Sequence, residues 1–179
     1  MEKVDVLTSK GQPTGRTVFR CTAHSKGLWH RSVHIWIKNR KGELLLQQRS
    51  LTKQTHPGLW DISAAGHISA GDSSRSTAIR EIWEELGISI DNNALRFLFT
   101  LRRQYRSPDN MIKDNEISDV YLYTVPVDEA EIKPNPEEVI GVAYYPINQL
   151  KNILIEEANL FVPHEEEYRR LFEVIASLT

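Results

Sequence analysis

The sequence predicts an α/β or α+β sandwich built on a mixed sheet, in a single domain of residues 1–179. Short apolar runs interleave with only a few helical stretches. One hairpin comes early, and a terminal segment from Pro163 to Leu178 repeats its apolar residues at helical spacing.

Taken in order, Val4 to Leu7 reads as a strand ended by the turn residues Gly11, Pro13 and Gly15, and Thr17 to His24 as one helical segment before Gly27. Val33, Ile35 and Ile37 alternate as a half-buried strand should. Asn39 to Gly42 turns the chain, and Glu43 to Gln48 returns as the hairpin partner. A short strand is expected near Trp60 to Ser63, after Pro57-Gly58. Ser74 to Gly87 is the clearest helix. Phe97–Tyr105 and Val120–Val125 read as strands around a polar loop from Arg106 to Asn115. Val139–Tyr145 follows as a strand, then a short helix near Asn148–Ile153. The terminal helix carries Tyr168, Leu171, Phe172 and Ile175 on one side.

Hydrophobic residues make up 40% and charged residues 26%, with a formal charge of −2, so the chain offers no electrostatic footprint for nucleic acid or an anionic membrane. An anionic substrate therefore needs a local device such as a metal ion. No apolar run approaches the roughly 20 residues that span a bilayer. Cys21 is the only cysteine, and the start of the chain lacks a signal-like apolar run, so the expected location is cytoplasmic. A homodimer is the assembly to test first, symmetric dimers being the commonest.

On a wheel at 100° per residue, Ile79, Ile82 and Leu86 share one side of the Ser74–Gly87 helix. Glu81, Glu84 and Glu85, at i, i+3 and i+4, converge opposite them. Like-charge pairs at this spacing cost only ~0.2–0.5 kcal/mol each, less than burying one Leu returns. A plain solvated acidic face is thus energetically allowed, and context decides. Read from Gly66, there are five residues, Asp72, seven residues, then Arg80-Glu81-Ile82-Trp83-Glu84-Glu85-Leu86-Gly87-Ile88. This segment, residues 66–88, closely resembles the Nudix box, and only the early glutamate differs, here Asp72.

The resemblance implies the Nudix fold, an α/β/α sandwich with a mixed sheet. It also implies Mg²⁺-dependent hydrolysis of a diphosphate linkage, in a nucleoside diphosphate joined to another moiety or a related organic diphosphate; Mn²⁺ is an alternative ion. Mg²⁺ takes hard oxygen ligands, and a metal can polarise phosphoryl oxygens and activate water. By the resemblance, Glu84, Glu85 and the Gly66 loop carbonyl are metal ligands, and Glu81 is a ligand or the general base. Arg80 orients Glu81, Glu84 shares in catalysis, and Asp72 braces the turn into the helix.

A second likeness runs through Pro13-Thr14-Gly15, Thr22-Ala23-His24, Leu28-Trp29-His30, Leu44 to Ser50 and Pro57-Gly58-Leu59-Trp60. These resemble type I isopentenyl diphosphate isomerases, which share the Nudix fold. That family holds a metal through three histidines and two glutamates, matched here by His24, His30, His67, Asp114 and Glu116. Imidazole favours Zn²⁺, Mn²⁺ or Fe²⁺ over Mg²⁺, so such a site implies a second, different metal. Glu116 is also a candidate catalytic base. The family's catalytic cysteine precedes the Gly-His pair, where this chain has Ala65. The catalytic equipment therefore reads as hydrolytic on an isomerase-like scaffold. An isomerase working without cysteine and a non-catalytic module binding a nucleotide metabolite are the two rivals. Arg49, Arg102 and Arg103, with Arg106, are candidate substrate-binding cations. Trp29, Trp36, Trp60, Phe99 and Tyr105 are candidates for a base-stacking platform or for core.

Overall fold

The computed structural model describes residues 2–124 and 132–178. Its centre is β3 (Trp29–Lys38), whose ten residues pair in parallel with β8 (Lys113–Thr124), from Trp29 opposite Asn115 to Lys38 opposite Thr124. On its other edge β3 pairs antiparallel with β6 (Ala64–His67) and, at its end, with β4 (Glu43–Arg49). The N-terminal pair β1 (Lys3–Leu7) and β2 (Pro13–Phe19) joins at Leu7 opposite Trp29. Strand β7 (Leu95–Arg106) forms a hairpin with β8, while β5 (Trp60–Asp61) and β9 (Val139–Pro146) flank β4. Parallel and antiparallel pairs thus share one mixed sheet.

Helices cover both faces. Val33, Ile35 and Ile37 pack against Ala78, Ile82 and Leu86 of α2 (Ser74–Leu86), the second helix after α1 (Arg20–Lys26). On the other face Trp36, Leu44 and Leu46 meet Leu150 of α3 (Ile147–Glu156) and Tyr168, Leu171 and Ile175 of α4 (Glu165–Ala176). Burying each Val, Ile or Leu among these stabilises by about 1.5–3 kcal/mol. The α/β/α layering expected from the sequence is what forms. No helix among the described residues is long and apolar enough to cross a membrane.

Four local expectations are corrected. Thr17, Val18 and Phe19 belong to β2, because register with β1 claims them, and α1 starts only at Arg20. β3 is buried on both faces, because α4 covers the side that carries His34 and Trp36. The strand near Trp60 shrinks to two residues, with β6 following as a separate element. The polar loop contracts to residues 107–112, since β7 runs to Arg106 and β8 starts at Lys113. Those strand ends face a polar site, so apolar alternation does not reveal them. Val125, expected to end β8, lies outside the described residues.

Candidate active site

Three histidines meet because three backbone elements converge. The parallel register sets His30 of β3 beside Glu116 of β8, and the antiparallel one sets His67 of β6 opposite Ser32. His24 comes from α1, which ends at Gly27 in the left-handed region (φ 63). Asn115 ties that turn down by donating to the Gly27 carbonyl at 2.7 Å. The Nε2 atoms of His24 and His67 are 3.2 Å apart. His67 Nε2 is 3.2 Å from Glu116 Oε1, and Asp114 Oδ1 lies 3.5 Å from His24 Nε2 and 3.6 Å from His30 Nε2. Ligand atoms of the three histidines and Asp114 all lie within 4.8 Å of one another.

This donor set fits a divalent cation. His30 Nε2 and Asp114 Oδ1 are buried with no hydrogen-bond partner, an arrangement proteins avoid unless something completes it. His30 Nδ1 donates to the Leu28 carbonyl at 2.9 Å, leaving the Nε2 lone pair facing inward. Burial, then the neighbouring His67 and His30, pushes His24 down to about 4. Burial likewise lowers His30. Burial pulls His67 down too, but its bond to Glu116 and the charges of Glu116 and Asp114 win, so its pKa is raised. Burial and Glu116 push Asp114 up to about 7. A Mn²⁺ or Zn²⁺ soak is expected to place an ion bonded to His24, His30 and His67. His30→Ala should abolish it; undiminished metal density in the variant would mean the ion sits elsewhere.

The box acids form the adjoining wall. Ser73 caps α2 through its side chain, accepting from the Ser76 N–H, and Gly87 ends it in the left-handed region (φ 67). Glu81 and Glu85 are buried on the same side as Ile82 and Leu86, whereas Glu84 sits at the rim. The three acids therefore do not form one separate face, because the sheet edge opens into a cleft beside the core. Arg80 bridges Glu81 at 2.8 Å and Glu84 at 2.7 Å. Glu85 accepts from the Gln47 amide at 3.0 Å and the Ala65 N–H at 3.1 Å. Burial, with Glu84 and Glu2 adding and Arg80 opposing, pushes Glu81 up to about 7. Burial and the Glu81 charge push Glu85 up to about 8. Such carboxylates hold protons until a cation displaces them, and they fit Mg²⁺.

Gly66 lies in β6 opposite Val33, not in a loop. A Cβ there would stand 2.1 Å from Glu81 Cδ and 2.2 Å from Oε1. Gly66→Ala is accordingly expected to displace the Glu81 carboxylate and lower turnover about 10²-fold. Wild-type turnover with a folded variant would show that Glu81 has no need of this seat. The bracing role expected of Asp72 goes to Ser73: Asp72 is exposed, and the Ser73 hydroxyl makes the cap bond.

The cleft between these walls encloses about 1170 Å³, and Arg49 and Arg103 line it. Arg49 donates to Asp61 at 2.8 Å and, through Nε and Nη2, to the Thr55 carbonyl, fastening the loop before β5. Arg103 lies 3.3 Å from His34 Nε2 and 4.0 Å from Glu116 Oε2. Arg102, expected among the substrate-binding cations, points away from the cleft, because strand alternation puts it on the opposite face from Arg103, where it covers the Trp29 ring at 4.6 Å. Arg106 is exposed and bonds Asn115. Of the aromatic candidates, Trp36 and Phe99 are core, while Tyr105 lines the cleft with its ring centroid 4.9 Å from that of His56.

Sequence reasoning missed a second buried group beneath the cleft: His34, Asp61, His164 and Glu167. His34 Nδ1 lies 2.6 Å from Glu167 Oε2, and His164 Nε2 lies 2.8 Å from Asp61 Oδ1. One signal was available: His30, Ser32, His34 and Trp36 alternate along a single face of β3. It also missed Lys53, which pairs with Glu138 at the cleft wall.

The chain matches the NUDIX domain family model over residues 28–170. It is 41% identical over 179 residues to Nudix hydrolase 3 of Arabidopsis thaliana, covering 97% of this chain but only 23% of that protein. An uncharacterized Nudix hydrolase of Listeria monocytogenes is 35% identical over 161 residues, 86% of this chain and 95% of that one. The isopentenyl-diphosphate Delta-isomerase of Streptomyces coelicolor is 33% identical over 142 residues, 79% of this chain and 69% of that one. In fold, a crystal structure from Deinococcus radiodurans superposes with a TM-score of 0.74 at 22% identity, covering 94% of this chain and 98% of that one. The NUDIX domain of Shewanella oneidensis NrtR, complexed with ADP ribose, gives 0.61 at 16% identity over 81% of this chain and 87% of that one.

Proposed function

This chain belongs to the Nudix hydrolase family, and we propose that it hydrolyses the diphosphate linkage of a nucleoside diphosphate joined to a second moiety, or of a related organic diphosphate, with Mg²⁺. The observation that carries this reading is the pair Glu81 and Glu85, buried at the cleft wall with raised pKa values and braced from three sides. Structural acids are rarely left so poorly compensated; acids that await a cation are.

Glu81, Glu84, Glu85 and the Gly66 carbonyl would hold Mg²⁺. Bound there, the ion supplies Lewis-acid polarisation of phosphoryl oxygens and a more acidic water. Glu81, aligned by Arg80, is the general base where the ion is held by Glu84, Glu85 and the Gly66 carbonyl alone. Glu116 is the other candidate, buried and held by His67. Arg103 supplies fixed positive charge along the cleft wall, countering the repulsion between a diphosphate and the acids. His24, His30, His67, Asp114 and Glu116 would hold a second ion of the Mn²⁺ or Zn²⁺ kind. A nucleotide-binding module without catalysis has no need of three box acids.

The lining is more polar than apolar, with histidines, arginines, Gln54, Thr55 and Asn135 beside Ala65, Trp83, Tyr105, Ile112 and Val162, and it suits a polar substrate better than a prenyl chain. That the fold in NrtR holds ADP ribose agrees with this class. Phosphate or nucleotide release from a panel of nucleoside diphosphate sugars, dinucleotides and organic diphosphates, with Mg²⁺, tests the proposal. Cleavage of at least one, abolished by chelation, is expected. Binding without turnover across the panel would replace the hydrolase with a sensor.

A further inference from the structure

The trio His34, His164 and Glu167 has the composition of a metal site, but its geometry argues otherwise. Only 2.6 Å separates His34 Nδ1 from Glu167 Oε2, a hydrogen-bond length that leaves no room for an ion between them. Arg49 and Arg103 already bring positive charge to the same cluster. What the atoms describe is a directional chain. Arginine only donates, so the 3.3 Å contact from Arg103 Nη1 requires a lone pair on His34 Nε2. The ring proton then sits on Nδ1 and donates to Glu167. Trp36 Nε1, a pure donor, occupies the other carboxylate oxygen at 2.8 Å. Glu167 is 1% exposed and His34 3%.

We propose that Glu167 is a positioning residue: through His34 it fixes the imidazole tautomer that receives Arg103, and so aims that guanidinium across the cleft at the phosphate-bearing group of the substrate. Without an acceptor at His34 Nε2, the ion-pair partner left to Arg103 among the described residues is Glu116, 4.0 Å away, and the guanidinium turns toward the histidine cluster. The first turn of α4 thus reaches the reaction centre through two side chains, although it contributes no atom there. The proposal rests on the diphosphate reading above for the identity of the anion, and on the hydrogen-bond geometry for the relay.

Glu167→Gln makes a sharp test, because Trp36 dictates how the amide sits. Its oxygen must accept from the indole, so its NH₂ faces His34 Nδ1, which must now accept. The ring proton is expected to move to Nε2, where it confronts Arg103. Nitrogen-15 shifts of His34 in the full-length protein report this directly: proton on Nδ1 in wild type, on Nε2 in the variant. Binding of inorganic pyrophosphate with Mg²⁺, followed by calorimetry, should weaken about tenfold, the scale of one charge-assisted hydrogen bond. With a cleaved substrate, KM should rise about tenfold while kcat changes little. His34→Asn covers the case in which Glu167→Gln does not fold. Asparagine keeps the donor to Glu167 and lacks the distal acceptor, so the same loss of pyrophosphate affinity is expected. A wild-type proton on Nε2, absent pyrophosphate binding, or wild-type affinity in the variants overturns the relay. If no diphosphate is turned over, the hydrolase reading fails while shifts and affinities still judge this one.

Discussion

Glu85→Gln is expected to lose about 10³-fold in Mg²⁺-dependent turnover and yet to melt higher than the parent in metal-free buffer at pH 8.5. The activity loss follows from removing one anionic ligand of the proposed Mg²⁺ site, worth several kcal/mol of transition-state stabilisation at tenfold per 1.4 kcal/mol. The stability gain follows from linkage. Burial lifts the folded pKa of Glu85 from 4.5 to about 8, above its unfolded value. A group raised in this way contributes stability that is fully present below pH 4.5 and is lost as pH rises through about 8. Glu81 and Asp114, each raised to about 7, and His67, also raised, act in the same direction. His24, His30, His56 and His164, all lowered, oppose them below their ordinary 6.5, and Lys53, lowered from 10.5 by burial, opposes them as pH climbs toward that value. Between pH 6.5 and 8.5 the metal-free wild type should therefore lose several degrees of Tm, and Mg²⁺ should restore them. Glutamine carries no charge and retains an oxygen for the Gln47 and Ala65 donors, so its Tm should fall less over that range. Equal pH slopes for parent and variant would show that Glu85 is not the uncompensated acid; parental turnover would remove it from the metal site.

The box helix was legible because spacing and residue type together constrain it: Ser74 to Leu86, the Gly87 cap and the Arg80–Glu81 pair all stand where the pattern put them. The wheel went wrong at the acids. It sorts residues into core and solvent, and it has no category for a cleft that buries Glu81 and Glu85 beside Ile82 and Leu86. The convergence of His24, His30 and His67 was legible only through family likeness, since α1, β3 and β6 meet by tertiary pairing that no local periodicity encodes. Of the group beneath them only His34 left a signal, its alternation with His30, Ser32 and Trp36 along β3; its partner Glu167 left none. Glu167 lies 133 residues from His34, and within its own segment it reads as one more acid in Glu165-Glu166-Glu167 at the start of a helix. Polar side chains hid the start of β8, from Lys113 to Asp119, for a related reason: a strand that faces a charged site carries the composition of a loop.

The protein is expected not to interconvert isopentenyl and dimethylallyl diphosphates at a useful rate, although 33% identity links it to an isomerase. Isomerisation protonates an unactivated alkene at one carbon and removes a proton from another, so it needs two positioned acid–base groups. Glu116 stands ready for one of them, bonded to His67. The place of the cysteine in the isomerases this chain resembles is Ala65, which sits in β6 opposite His34 and lines the cleft with a methyl group. Its backbone N–H is committed to Glu85. Cys21 is no substitute, being exposed on α1. Losing one proton-transfer partner typically forfeits about 10²–10⁴-fold, and an alkene that must pass through a carbocation-like state has no second route. Attack of water on phosphorus asks nothing of residue 65 beyond that N–H. Incubation with labelled isopentenyl diphosphate, Mg²⁺ and Mn²⁺, followed by separation of the two isomers, measures this directly. Ala65→Cys serves as the companion: a trace of dimethylallyl product from the variant alone would show a pocket that still fits the allylic diphosphate and lacks only the donor. Robust product from the wild type would instead mean that another group protonates the alkene, and the hydrolase reading would give way to the isomerase.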